Sequence, residues 1–182
     1  NFTFDMNYPD IVRLIDGYDI QDAISECYEN DGVEDTAFIV RSNKRANQYN
    51  QQIRFRIRGQ ENEISTGDYV MVVKNNYYWL SDSSSAGFIA NGDICEVLRI
   101  ISIKELYGFH FAEVSLRMID YPDMQPFDTV LLLDTLTSES PSLTYEESNK
   151  LYEAVKEDFA HEKSKYKQFM GVKKNKYFSS KI

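Results

Sequence analysis

The chain has 182 residues, of which 42% are hydrophobic and 14% aromatic, so it can bury a core and is not a wholly disordered polymer. A formal net charge of -9 argues against a surface that binds nucleic acid everywhere. Because no apolar run approaches the roughly 20 residues needed to cross a bilayer, we expect a cytoplasmic protein with no membrane partner.

The cysteines and histidines do not indicate a metal site. Cys27 and Cys95 lie far apart, and neither His110 nor His161 has a cluster of Cys or carboxylate residues beside it. Two thiols at this separation in a chain of ordinary composition are expected to stay reduced. We therefore predict neither a metal site nor a disulfide.

The first sixty residues predict a helix, a strand and a second helix. Asp19 can cap a helix that ends at Gly32, and Ser42 or Asn43 can cap the second helix. Between them, the apolar run from Thr36 to Val40 is typical of a buried strand. Since such a strand needs helices to cover it, this region predicts part of an α/β layer. Its exposed edge would need another segment or another chain to cover it.

After Gly59 the hydrophobic pattern changes from helical spacing to that of strands. Four strand-like runs follow at short spacing, and a turn at Tyr121-Pro122-Asp123 separates the last two. Together they predict a small barrel-like β module. The runs are Tyr69 to Lys74, Asp93 to Ile100, Ala112 to Met118, and Thr129 to Leu133.

From Ser138 the sequence returns to helical spacing. Thr144 followed by Glu147 is a capping-box pattern, and the amphipathic helix that it begins is predicted to run towards Gly171. The tail from Lys173 to Ile182 is basic and has no recognisable pattern. The whole therefore predicts an α+β fold with three parts: residues 1–60, residues 61–135, and residues 136–182.

No motif in the chain forms a self-contained active site. Gly87 and Gly92 have the separation found in a phosphate-binding loop, but Asp93-Ile94 stand where Lys and Ser or Thr are required. An aspartate at that point would repel phosphate. The carboxylates elsewhere are scattered, and no Ser-His-Asp or Cys-His arrangement is visible.

Two ordered motifs resemble a known family. The segment VRSNKRAN at residues 40–47, followed by Tyr49-Asn50 and Ile53-Arg54, resembles motif IV in the second RecA-like domain of superfamily 1 DNA helicases of the RecD-like branch. The segments at residues 67–71, 74–77 and 87–93 resemble the start of the Src-homology-3-like barrel inserted into that domain. The resemblance spans most of the chain and is closest to bacterial RecD-like helicases, some described as ATP-dependent exonucleases.

The resemblance implies how the parts would work together. Residues 1–60 would be a partial second RecA-like domain, residues 61–135 the Src-homology-3-like barrel, and residues 136–182 a helical insertion and tail. The first RecA-like domain, with its phosphate-binding loop and Mg-binding acidic motif, is not in this sequence. We therefore expect no cofactor in this chain and no activity from it alone. ATP and Mg²⁺ would be held by the missing helicase domains of the same polypeptide, and the substrate would be single-stranded or duplex DNA.

The resemblance makes Arg41 the candidate catalytic residue. In the family, an arginine after this strand reaches the γ-phosphate of ATP bound by the first domain and stabilises charge that develops during transfer. The alternative is an arginine that marks a strand end and meets solvent. Lys44 and Arg45, at the start of a helix, are candidates for contact with DNA phosphate.

A second group of candidates follows the first predicted strand. A cation, amides and aromatic rings together can contact a phosphate backbone and stack a base. Alternatively, the aromatic rings close the barrel core and the two asparagines form a turn. The candidate residues are Lys74, Asn75, Asn76, Tyr77 and Trp79.

Three functions remain open from the sequence. The chain is a fragment of an ATP-driven DNA helicase, or a stand-alone barrel module that binds nucleic acid or peptide without enzymatic activity, or a scaffold piece. In the third case its helix from Thr144 to Met170 would dock against a partner. The first function predicts weak, salt-sensitive binding to single strands at best and no ATPase activity in isolation, whereas the second predicts measurable affinity without any other domain.

Overall fold

The computed structural model of the protein describes residues 5–80, 86–138, 140 and 142–180. Within these residues the fold is α+β, and the chain divides into two compact units, residues 1–60 and residues 61–182. The predicted boundary after residue 60 falls at this division, and the boundary after residue 135 falls inside the second unit. No helix in the described ranges is both long and apolar enough to cross a membrane.

The first unit contains three helices: α1 (Gly17–Asn30), α2 (Gly32–Asp35) and α3 (Asn43–Arg56). The cap predicted for α1 was wrong, because Asp16 is the extended residue before the helix and its Oδ1 accepts a hydrogen bond from the Tyr18 N–H at 2.7 Å. Asp19 lies in the first turn instead. The cap predicted for α3 is confirmed: Ser42 Oγ accepts a hydrogen bond from the Arg45 N–H at 3.4 Å.

The run from Thr36 to Val40 is extended but is not the buried strand that we predicted. Among the described residues it pairs with no strand, and Ile39 is 99% exposed. Its one aromatic ring, Phe38, lies between Tyr28 of α1 and Tyr49 of α3, with ring centroids 6.1 and 5.8 Å away. A buried strand needs neighbouring strands to satisfy its backbone groups, and the described part of this unit offers only helices.

The second unit is built on a curled four-stranded antiparallel sheet with the order β1-β2-β3-β4. All four predicted strands are present, although their lengths differ from the prediction. The strands β2 and β3 form a long hairpin that closes at Tyr107 and Gly108, whose φ angles of 58° and 73° suit a two-residue turn. The strands are β1 (Tyr69–Met71), β2 (Ile94–Leu106), β3 (Phe109–Met118) and β4 (Phe127–Leu132), and a 3₁₀ helix (Leu133–Thr135) follows.

Helices pack on one part of this sheet: α4 (Tyr145–Glu157), α5 (Lys165–Lys174) and α6 (Lys176–Ser179). The capping box at Thr144 and Glu147 is confirmed, with both reciprocal hydrogen bonds formed. The apolar residues of α4 that we considered for docking to a partner, Leu151 and Val155, are fully buried against the sheet in this unit.

The single long helix predicted from Thr144 towards Gly171 was wrong. The chain turns after α4, and Ser164 begins α5 by accepting a hydrogen bond from the Lys167 N–H. Gly171 lies inside α5 and directly against Phe159, where an added Cβ would be only 2.6 Å from the ring. The missing side chain therefore lets α5 fold back onto the end of the preceding turn.

The C-terminal tail has regular structure as far as the described residues extend, to Ser180, whereas we predicted an unpatterned segment. Asn175 caps α6 by accepting hydrogen bonds from two backbone N–H groups, at 2.9 and 3.2 Å. Tyr177 and Phe178 then pack against the core cluster that contains Leu151 and Val155. Ser180 is fully buried. The helices and the sheet thus share one core in the second unit.

Candidate nucleic-acid interface

The first group of predicted site residues lies where the extended segment meets α3. Arg41 precedes the cap residue Ser42, and Lys44 and Arg45 occupy the first turn; the side chains of all three basic residues are exposed. The first turn of α3 contains no acidic residue. Because the partial positive charge of a helix N-terminus disfavours nearby cations, this placement does not serve the helix itself. An anion such as phosphate would offset the unfavourable positive charge at this helix N-terminus.

The second group lies in the other unit and divides into structural and exposed residues. Asn76 is buried, and its backbone exchanges two hydrogen bonds with Ile89, at 2.8 and 2.9 Å. Its Nδ2 donates to the Ser179 carbonyl and its Oδ1 accepts from the Tyr78 N–H, both at 2.8 Å. These bonds make Asn76 a residue that fixes the local backbone and α6, rather than one that faces a ligand.

Asn75 also has a structural partner. Its Oδ1 accepts a hydrogen bond from the Asn91 N–H at 2.8 Å, which ties the end of the first strand region to the turn before β2. The two asparagines therefore have structural partners, although they form a β-bridge at Asn76 rather than the turn described as the alternative. They hold the neighbouring residue, Tyr77, in a defined position.

Tyr77 is an exposed member of this group. Its side chain is 71% exposed, and its ring stacks on Phe88 with centroids 4.9 Å apart and planes at 26°. Lys74, three residues earlier, is also exposed. We call Lys74, Tyr77 and Phe88 the aromatic rim. A cation and a supported π-face in one short segment are the groups that bind single-stranded nucleic acid.

Trp79 belongs to the core. It is half-buried and packs against both core clusters of the second unit, and the Tyr78 ring meets it edge-on at 4.8 Å. The Trp79 Nε1 is buried and has no hydrogen-bond partner among the described residues. Trp79 therefore helps to close the core, as in the alternative described for it.

Sequence reasoning missed Phe88. Its position opposite Tyr77 depends on the isolated bridge between Asn76 and Ile89, which joins two segments separated by a Ser-rich stretch. The segment from Gly87 to Asp93 was considered for its glycine spacing and for its resemblance to the barrel, without a role for the Phe88 ring. The structure places strand β2 after Gly92, whereas a phosphate-binding loop leads into a helix.

One carboxylate organises the charges near α6. The Glu113 Oε1 accepts hydrogen bonds from Lys176 Nζ at 2.8 Å, from Lys104 Nζ at 2.9 Å and from the Tyr177 hydroxyl at 2.9 Å. Mainly through the bonds from Lys176 and Lys104, the pKa of Glu113 is lowered to about 2. Lys104 and Lys176 therefore form a structural contact with Glu113.

The described residues include no group of three or more His, Cys, Asp or Glu side chains that could hold a metal ion. Comparison with models of protein families, with curated proteins and with solved structures found no match to this chain.

Proposed function

We propose that this chain is part of an ATP-dependent DNA helicase of the RecD-like branch of superfamily 1. In this proposal the second unit contributes a surface that contacts single-stranded DNA. The observation that carries the proposal is the aromatic rim: Tyr77 is 71% exposed and stacks on Phe88, and Lys74 of the same segment is exposed. A supported ring of this kind can stack a base and stabilise binding by about 1–3 kcal/mol.

Arg41 would supply the nucleotide-facing cation. It is exposed at the end of an extended segment, and its guanidinium could stabilise charge on the γ-phosphate of ATP held with Mg²⁺ by another domain. The apolar surface of the first unit supports such a companion. Ile39 is 99% exposed and Ile15 is 83% exposed, whereas Ile53 is the one buried apolar side chain among the described residues of this unit. A RecA-like layer completed by other domains of the polypeptide would cover these side chains.

Binding of DNA by the aromatic rim is tested with fluorescein-labelled oligo(dT) of about 15 nucleotides, a length within the usual range for such sites. Anisotropy titrations of the 182-residue chain should show binding that weakens with salt. Tyr77→Ala should weaken it by about 5- to 150-fold, the equivalent of one stacked base. Tyr145→Ala, which removes an 81% exposed tyrosine from α4, is the matched control and should leave affinity unchanged. Equal affinities for Tyr77→Ala and the unmodified chain would remove the aromatic rim from the proposal.

The role of Arg41 is tested in the polypeptide that carries both RecA-like domains. Arg41→Ala should lower DNA-stimulated ATP turnover by about 10³-fold or more while ATP binding changes little, because the guanidinium acts mainly on charge in the transition state. Arg41→Lys should remain strongly impaired, since a lysine cannot reproduce the planar donor pair. Turnover within a few-fold of the unmodified protein in Arg41→Ala would exclude this role.

A stand-alone binding module remains the second candidate. The observation that favours it is that the second unit has its own core, shared by the sheet and helices α4 to α6. Such a module would bind its nucleic acid or peptide fully without other domains. Affinity for oligo(dT) that does not increase when the companion domains and ATP are supplied would favour the module over the helicase.

A further inference from the structure

Helix α5 presents an unusual concentration of positive charge for an acidic protein. It contains four lysines and no acidic residue, and no acidic residue occurs from Lys163 to the end of the sequence. Its four lysines are exposed. Two of them, Lys165 and Lys167, lie in the first turn, where the helix dipole disfavours cations. Lys173 and Lys174 lie in the last turn, where the dipole favours cations, so helix stability accounts for only half of this charge.

The packing of α5 fixes which of its residues face outward. Val172 is fully buried, Gly171 lies against Phe159, and the Gln168 Nε2 donates to the Phe159 carbonyl at 3.2 Å. The opposite side carries aromatic and basic residues that alternate in space: Tyr166 is 71% exposed, Phe169 is 41% exposed, and the Lys173 Nζ lies 4.7 Å from the Phe169 ring centroid. We call Tyr166, Phe169, Lys173 and Lys174 the outward face of α5.

The C-terminal end of α5 lies beside the segment that carries the aromatic rim. The Tyr78 hydroxyl donates a hydrogen bond to the Lys174 carbonyl at 3.0 Å, so the last turn of α5 is fastened to the residue next to Tyr77. A second link runs from the Asn76 side chain to the Ser179 carbonyl of α6. Both bonds place the C-terminal end of α5 beside the segment that carries Tyr77.

We infer that the outward face of α5 is a second contact surface for single-stranded DNA, continuous with the aromatic rim. This inference rests on the function proposed for the aromatic rim and extends its site. Lys173 and Lys174 would contact phosphates, and Tyr166 and Phe169 would offer further rings for bases. A strand bound at Tyr77 would then continue along α5, with several more nucleotides in contact with protein.

The arrangement of residues on α5 favours a nucleic acid over a membrane surface. A helix that lies on a bilayer separates an apolar face from a basic face, and it is usually longer than these 10 residues. On α5 the exposed lysines and rings are interleaved, and Lys173 covers the Phe169 ring. Alternating cations and rings match a strand of alternating phosphates and bases.

The test compares oligo(dT) of about 6 and about 15 nucleotides, both within the range of known site sizes, in anisotropy titrations of the 182-residue chain. Lys173→Gln/Lys174→Gln should weaken binding of the longer strand by about tenfold and lower the salt slope of its log affinity by about 1.4, or 0.7 for each phosphate contact. Binding of the shorter strand, which the aromatic rim can hold alone, should change less than twofold. Lys150→Gln/Lys156→Gln on α4 makes the same change in charge and should affect neither strand.

The outcomes separate this inference from the proposed function. If Tyr77→Ala weakens both strands and Lys173→Gln/Lys174→Gln weakens neither, the α5 surface is overturned and the aromatic rim stands. If the unmodified chain binds neither strand, both are overturned. Binding to phosphatidylserine vesicles that the lysine variant abolishes, with oligonucleotide affinity unchanged, would overturn the α5 inference in favour of a membrane surface. Unchanged Trp79 fluorescence in the variants confirms that each is folded.

Discussion

Glu113 is the residue at which β2, β3 and α6 are joined. The same Glu113 oxygen accepts hydrogen bonds from Lys104 of β2 and from Lys176 and Tyr177 of α6. The Glu113 side chain is 19% exposed. Through α6 this contact also supports the Ser179 carbonyl that holds Asn76. The Glu113 carboxylate on β3 therefore helps to fix the backbone of the segment that carries Tyr77.

We predict that Glu113→Gln lowers the free energy of unfolding at pH 7 by about 2 kcal/mol, because an uncharged amide oxygen accepts weaker hydrogen bonds from Lys104 and Lys176 than the carboxylate does. The folded-state pKa of Glu113 is about 2 and its ordinary value is 4.5. Since the pKa is lowered by folding, the stabilisation is complete above pH 4.5 and is lost as the pH falls through 2. Urea unfolding followed by fluorescence of the single tryptophan, Trp79, measures the difference between the two proteins at each pH.

The matched control is Glu153→Gln, which removes a carboxylate that is 63% exposed and pairs with Lys156 along α4. An exposed pair of this kind contributes little, so its curve should follow the unmodified protein at every pH. A stability difference for Glu113→Gln that persists unchanged below pH 2 would show that the loss comes from packing rather than from the carboxylate charge.

At the residue scale, local signals were predictable and distant partners were not. Ser42 as a helix cap and the Thr144–Glu147 capping box need only neighbours in the sequence, and both are formed. The partner of Asn76 lies 103 residues away at Ser179. Without that contact, its amide cannot be distinguished from one that faces DNA. Phe88 was missed for the same reason.

At the element scale, the period of the hydrophobic residues located the strands but not their lengths. The prediction ended the second strand at Ile100, whereas β2 continues to Leu106 because β3 offers a partner over that whole length. Between Ile100 and Leu106, β2 contains exposed residues such as Ile103, so the burial of side chains does not mark where the strand ends. Backbone pairing therefore extends the hairpin beyond the part that side-chain burial would require.

The predictions for two other elements were wrong because those elements depend on tertiary contacts. The run from Thr36 to Val40 has the composition of a buried strand, yet burial requires neighbouring strands that the described residues of its unit do not supply. The helix after Thr144 ends early because Ser164 offers a new N-cap, and Gly171 allows α5 to pack on Phe159. Hydrophobic residues at helical spacing occur in both α4 and α5. This spacing alone does not reveal that the chain turns between the two helices.

At the scale of the whole molecule, apolar burial is very unequal between the two units. Of the 19 buried hydrophobic residues in the described ranges, Ile53 alone belongs to the first unit. The second unit holds the remainder in two core clusters bridged by contact with Trp79. Since apolar burial is the main favourable term in folding, the second unit should carry most of the stability.

We therefore predict that residues 61–182 fold alone, with a cooperative thermal transition within about 5 °C of the main transition of the whole chain, a shift that corresponds to less than about 1 kcal/mol. Residues 1–60 alone should show helical circular dichroism that melts gradually, because helices without a shared core are marginal in water. If the proposed companion domain exists, adding it should sharpen the melting of residues 1–60 and leave that of residues 61–182 unchanged. A sharp transition for residues 1–60 alone would contradict the proposal that this unit needs a companion domain to complete its layer. A gradual transition for residues 61–182 would contradict the prediction that this unit folds alone.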